Sequence, residues 1–237
     1  VTNNKLLETF ILHTVRKSIQ REVLQELLRG FNLNYFKKLP TNTAKMNYAK
    51  GILPHMGEGS ARTVYAASGD KVLKIAMNQK GIAQNKAEVD VFLEMDRAGF
   101  GNAVAKAIDY DPKYHWVLSE AVQPFDRGPP AEKAFEKGTG IPFSFFGFLL
   151  RNIRETPVKD IESISKNYRL SWDERIKLED IAKNPPLILR ALEYAMNHLN
   201  LVISDLTHVS HYGKTADGRV VLLDYGFTHD VEMWHYR

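Results

Sequence analysis

Residues 57–76 read GEGSARTVYAASGDKVLKIA. Gly57 and Gly59 sit between two β-like runs, and the Gly69-Asp70 pair marks a second turn. Glycines between strands let the backbone approach an anion and aim its N–H groups at it. An ordinary hairpin accounts for such a pair as well. The run Val72-Leu73-Lys74-Ile75-Ala76 then places one lysine in an otherwise apolar strand. A buried ammonium is costly unless it is paired, so Lys74 calls for a carboxylate and an anionic ligand. The plainer alternative is an edge strand with its lysine head in water.

Outward from this stretch, Gly51 to Met56, Arg62 to Ala67 and Lys71 to Ala76 read as the first three strands. A helix follows from Ile82 to Ala98, with Val89, Phe92, Leu93 and Met95 on its apolar side. Glu88 on that helix is the natural carboxylate for Lys74, and Asp90 points to another face. Strands Val104 to Tyr110 and Trp116 to Ala121 complete a five-stranded antiparallel sheet, with Asp111-Pro112 as their turn. From Pro129 the pattern turns helical, near 131–137, 143–155, 173–183 and 186–200. Two short strands close the chain, at Tyr212 and at Val220 to Leu223, around the turn 216–218. The layout is α+β and bilobal: a β-rich lobe, then a helical one.

Before this core, Leu6 to Leu28 carry apolar residues at helical spacing, with Gly30 as a stop. The polar stretch Lys37 to Lys50 reads as a linker or irregular arm. The domains expected are 1–50 (helix and arm), 51–122 (β lobe) and 123–237 (helical lobe). Residues 1–50 hold nine bases and three acids, against a net charge of +4 for the whole chain. A basic arm suits an acidic partner, while a solvated helix face is the plainer reading. Aromatic-interleaved basic runs and zinc-finger spacings are missing, so nucleic acid is not the expected partner.

The chain has 237 residues, 44% hydrophobic and 25% charged, which is ordinary for a globular protein. The absence of cysteine excludes disulfides, thiolate nucleophiles and Cys-type zinc sites. The longest apolar stretch, 141–150, is too short to span a bilayer. The sequence shows no basic-then-apolar leader, and a cytoplasmic protein without a membrane partner is expected.

Two acids lie late in the chain. Asp205 follows the long helix 186–200, and Asp224 ends the apolar run Val221-Leu222-Leu223 before Tyr225-Gly226. A strand-end acid is well placed for Mg²⁺, which takes few protein oxygens and completes its shell with phosphate and water. A capping turn is the alternative. The order of Gly-rich loop, strand Lys, helix Glu, loop Asp and strand-end Asp-Tyr-Gly is that of the protein-kinase signature. Over about residues 50–230 the sequence resembles the protein-kinase-like superfamily, and within it small divergent kinases of the bacteriophage type.

The resemblance implies a bilobal kinase-like fold with a five-stranded antiparallel first lobe, a reduced helical second lobe and an extra N-terminal helix. It implies ATP and Mg²⁺ as cofactors, and a protein substrate. Gly57, Gly59, Ser60 and Arg62 would form the phosphate loop, and Val64 would roof the adenine. Lys74 would hold the α- and β-phosphates with Glu88 as its ion-pair partner. Ser119 would be the gatekeeper, with Glu120, Ala121 and Val122 at the hinge. Asp205 would accept the substrate hydroxyl proton, and Asp224 would hold the metal. The departures are specific. Arg62 replaces the third glycine, where it would crowd the phosphates or contact them. Ile203-Ser204 replaces the His-Arg before the catalytic acid. Ser210 or His211 stands where a metal-binding Asn is expected, and His208 in the same loop offers a base or a phosphate donor. A peptide-docking motif does not follow Gly226. The implied activity is a minimal Ser/Thr protein kinase, with a catalytically impaired pseudokinase and a small-molecule phosphotransferase as alternatives.

Overall fold

The computed structural model describes residues 30–68, 70–153, 156–158, 160, 161, 163, 170–226 and 228–235, and it does not describe the side chains of Ser68, Ser204 and Asp205. The amphipathic helix expected over Leu6 to Leu28 lies outside the described residues.

Helix α1 (Leu33–Lys38) starts where the Asn32 side chain accepts from the Tyr35 N–H, and α2 (Asn42–Ile52) starts where Thr41 accepts from Ala44. The linker reading of Lys37 to Lys50 and the strand expected from Gly51 are therefore corrected. The run is helical through Ile52, and β1 begins only at His55. Two capping side chains and one apolar face override the polar composition. Phe36, Ala49 and Leu53 are buried with Tyr65, Leu73, Ile75, Trp116 and Leu118, so α1 and α2 cover one face of the sheet. Phe36 and Trp116 meet edge-on at 5.4 Å.

The sheet comprises β1 (His55–Glu58), β2 (Arg62–Ser68), β3 (Lys71–Ala76), β4 (Ala107–Tyr110) and β5 (Trp116–Glu120). Its order is β1-β2-β3-β5-β4, antiparallel throughout, so β3 is the middle strand. The edge-strand alternative for Lys74 is thereby removed. Val64 pairs with Lys74, Lys74 with Val117, Val72 with Ser119 and Arg62 with Ala76. Cross-strand partners share a face, and residues two apart along a strand share it too. Arg62, Val64, Lys74 and Ser119 therefore occupy one face, opposite the one under α1 and α2. Helix α3 (Gln79–Arg97) packs there, burying Gly81, Asn85, Glu88 and Met95 along one stripe.

The chain passes through Ala121 into β6 (Val122–Pro124), which pairs with β7 (Tyr212–Thr215), itself paired with β8 (Val220–Leu222). Around this small sheet stand α4 (Pro129–Thr139), α5 (Phe143–Ile153), α6 (Trp172–Lys183), α7 (Leu187–His198), the turn α8 (Ile203–Leu206) and α9 (His229–His235). Phe135, Phe146 and Tyr212 lie at the centre, with ring centroids 4.8–5.6 Å apart. One hydrophobic cluster runs from Val91 and Met95 of α3 into these helices, so both lobes share a core. The result is a bilobal α+β arrangement, sheet-rich first and helical second, consistent with a kinase-like fold. Among the described residues, no helix is long and apolar enough to cross a membrane.

Candidate active site

Glu88 is the hub of the site. Its side chain is fully buried, and Lys74 Nζ donates to Oε1 at 2.6 Å. Arg62 donates to Oε2, also at 2.6 Å, and the buried Ser119 hydroxyl donates to Oε1 at 3.2 Å. Burial opposes the charge on Glu88, but the Lys74 and Arg62 cations outweigh it and hold its pKa below the ordinary 4.5. Burial would likewise lower the Arg62 pKa, and the Glu88 and Asp224 carboxylates raise it instead. Asp90, as expected, lies on the other side of α3, where Lys86 donates to it at 2.5 Å.

Arg62 also reaches the second lobe. It donates to Asp224 Oδ1 at 3.1 Å, where the carboxylate side chain is 54% exposed. The Asp224-Tyr225-Gly226 turn is locked behind this contact. Tyr225 is buried and its hydroxyl donates to the Ala105 carbonyl. Gly226 lies flat on α3, where an added Cβ would meet the Gln84 carbonyl oxygen at 2.6 Å. Only glycine fits that approach.

The 3₁₀ turn Val209–His211 carries Ser210 and His211, and the His211 carbonyl accepts from the Leu223 N–H at 2.8 Å. That bond ties the turn to the residue before Asp224. The His208 and His211 rings stand 5.5 Å apart. Asp205 falls on α8, whose Leu206 carbonyl accepts from the buried Tyr212 hydroxyl at 2.8 Å, and its own side chain is outside the description. Among the described residues, no group of three or more His, Asp or Glu could hold a metal ion. Mg²⁺ needs only one or two carboxylates besides phosphate and water, so Asp224 fits that demand from the protein side.

Gly57 has open space where a Cβ would sit, a Cβ on Gly59 would meet just the Arg62 carbonyl oxygen at 4.0 Å, and neither has positive φ. Neither packing within the chain nor a hairpin turn requires them, which leaves room for an approaching ligand. The Gly59–Arg62 turn is closed by Gly59 N–H to Arg62 O at 2.9 Å. Asn78 pins it by donating to the Ser60 carbonyl at 3.0 Å.

At residues 120–122, where the resemblance implies a hinge, two of the three backbone N–H groups are already bonded within the chain. The Glu120 N–H is bonded to Lys106 O and the Ala121 N–H to Asp70 O. In the β6–β7 ladder Phe125 N–H bonds Tyr212 O, and Val122 stands opposite Thr215. Bonded and non-bonded pairs alternate along an antiparallel ladder, so the N–H and C=O of Val122 turn away from β7. The Glu120 side chain serves structure instead, accepting from Arg219. Arg219 also donates to the Asn102 carbonyl and to Asp217. Bonds from Thr215 and Arg219 hold the Asp217 pKa down to about 2.

Two contributors escape a reading of the sequence. Asn85 is fully buried, accepts from Arg62 at 3.4 Å and donates to the Tyr114 carbonyl at 2.9 Å. Its place one turn before Glu88 on the same stripe is the signal that could have found it. Arg219 sits in a loop and carries no such signal.

No protein-family model matches the chain, and neither does any curated protein sequence. Among solved structures, it is similar to the GDP complex of wild-type aminoglycoside 2'-phosphotransferase-IIIa, at 15% identity over 73% of this chain and 66% of that one, TM-score 0.39. It is also similar to a choline kinase from Streptococcus pneumoniae, at 12% identity over 79% and 70%, TM-score 0.35. SAICAR synthase from Saccharomyces cerevisiae gives 15% identity over 76% and 75%, TM-score 0.34.

Proposed function

We propose that this chain binds ATP between its lobes and transfers the γ-phosphate to a hydroxyl group, with a Ser or Thr side chain of a protein as the acceptor. The observation that carries this reading is the ion pair of Lys74 with a fully buried Glu88 at 2.6 Å, facing a strand-end Asp224. A buried pair of this kind is seldom worth its desolvation for stability alone.

Phosphoryl transfer asks the protein mainly for position and charge. Lys74, oriented by Glu88, is the cation for the α- and β-phosphates. Gly57 and Gly59 would leave space for the phosphate tail beneath the β1–β2 turn, with Ser60 beside them in the same loop. Val64, on the same face as Lys74, would cover the adenine, and the Val122 N–H would donate to its edge. Ser119 lies at the back of that face and bonds Glu88 rather than a ligand. Asp205 would accept the proton from the attacking hydroxyl. Asp224 would hold Mg²⁺, with Ser210 or His211 as the second protein ligand. When bound, Mg²⁺ would neutralise the charge that develops between the β- and γ-phosphates.

One observation favours a second reading, an ATP-binding module without transfer: Arg62 already engages the acid that would hold the metal. Incubation with γ-labelled ATP, Mg²⁺ and a mixture of Ser/Thr peptides separates the two. Transfer by the wild type and its loss in Asp224→Ala support the enzyme. ATP-dependent thermal stabilisation without any transfer supports the binding module. Neither stabilisation nor transfer contradicts both.

A further inference from the structure

We propose that Arg62 is a phosphate-binding residue whose outer N–H groups exchange Asp224 for the phosphates of the nucleotide. This rests on the nucleotide reading above.

The two edges of the guanidinium differ. The inner edge is fixed: Nη1 donates to Glu88 Oε2 at 2.6 Å and to Asn85 Oδ1 at 3.4 Å. Asn85 is itself held, donating to the Tyr114 carbonyl at 2.9 Å. Among the described residues, the outer edge meets a half-exposed partner, Nη2 to Asp224 Oδ1 at 3.1 Å, and the Arg62 side chain is 10% exposed. Breaking the inner contacts would strand a buried carboxylate. Breaking the outer one returns Asp224 to water at little cost. The exchangeable bond is therefore the outer one.

The local charge supports the exchange. Lys74 and Arg62 share one buried carboxylate, which leaves a single positive charge that Asp224 balances. An anionic ligand entering this face competes with Asp224 for that charge, and a divalent cation on Asp224 settles the competition. The strand register puts Arg62 on the same face as Val64 and Lys74. Only an arginine does both tasks, because its planar fork bonds two anions at once and an ammonium head does not.

The test is ATP affinity, by calorimetry, for the wild type, Arg62→Gln, Asp224→Asn and the double variant, each in EDTA and in Mg²⁺. In EDTA, Asp224→Asn binds ATP about fivefold or more tightly than the wild type, and the gain vanishes when Arg62→Gln is added. In Mg²⁺, Arg62→Gln loses about tenfold in ATP affinity while its adenosine affinity stays at the wild-type value, which also shows that the variant is folded. Where Arg62→Gln does not fold, Arg62→Lys keeps the bond to Glu88 and is compared instead, with a smaller loss expected. ATP binding by Arg62→Gln as tight as or tighter than the wild type overturns the proposal and makes Arg62 a plug. So does a gain from Asp224→Asn that survives in the double variant. A wild type that binds neither ATP nor adenosine overturns the nucleotide reading itself.

Discussion

Arg62 joins the two lobes through Asp224, reaching it at 3.1 Å from the first residue of β2 while holding Glu88 at 2.6 Å. The acid that would carry the metal and the acid that orients Lys74 are thus linked by one guanidinium. Glu88 holds the arrangement together, since two cations depend on its charge.

Glu88→Gln should destabilise the fold by about 3–5 kcal/mol at neutral pH, because it leaves the buried Lys74 without its counter-charge and Arg62 with Asp224 alone. The sign with pH follows from the depressed Glu88 pKa. The unfolded chain binds the proton more readily than the folded one, so the carboxylate's contribution is complete above the ordinary 4.5 and is lost as pH falls through the lower folded value. Urea melts of both proteins should show their difference shrinking below about pH 4. A gap that is constant down to pH 2 would contradict this, on the same linkage.

Phe36→Ala should cost about 3–5 kcal/mol, since its ring is fully buried against Trp116. A linker residue would cost almost nothing. Thermal melts decide whether residues 31–53 belong to the folded lobe.

Much of this lobe was legible in the sequence because short β-like runs at 62–67, 71–76 and 116–121 are separated by Gly, Asp and Pro turn residues. Lys74 and Glu88 were legible because each is a charge on an otherwise apolar stretch. The helices over 33–52 were not, because their apolar face is short and their polar residues outnumber it. Thr41 and Asn32 were the available signals, and both are common in loops. The bridge that Arg62 makes between Glu88 and Asp224 was equally hidden. Asp224 lies 162 positions away, and no local pattern reports such a contact. β6 was missed because three residues are too few for alternation to show.

Gly226→Ala should lower stability by about 1–3 kcal/mol, because the new methyl meets the Gln84 carbonyl on α3. Relief requires α3 to move outward and carry Glu88 from Lys74. Loss of ATP affinity should therefore accompany the drop in melting temperature. A variant with wild-type stability would contradict the close approach.

Val122→Pro removes an N–H that the ladder turns away from β7, and proline is tolerated on an edge strand. The melting temperature should change little. ATP affinity should fall about tenfold or more, the value of one lost charge-free bond and its unsatisfied partner. A large fall in melting temperature with unchanged affinity would assign that N–H to the fold instead.

The most direct measurement is a calorimetric titration of ATP with Mg²⁺ into the wild type and Lys74→Met. One site per chain is expected in the wild type, and a hundredfold or greater loss, roughly the effect of removing a desolvated phosphate contact, in the variant. Equal ATP binding by both proteins, or none by the wild type, would contradict a nucleotide site built on Lys74 and Glu88.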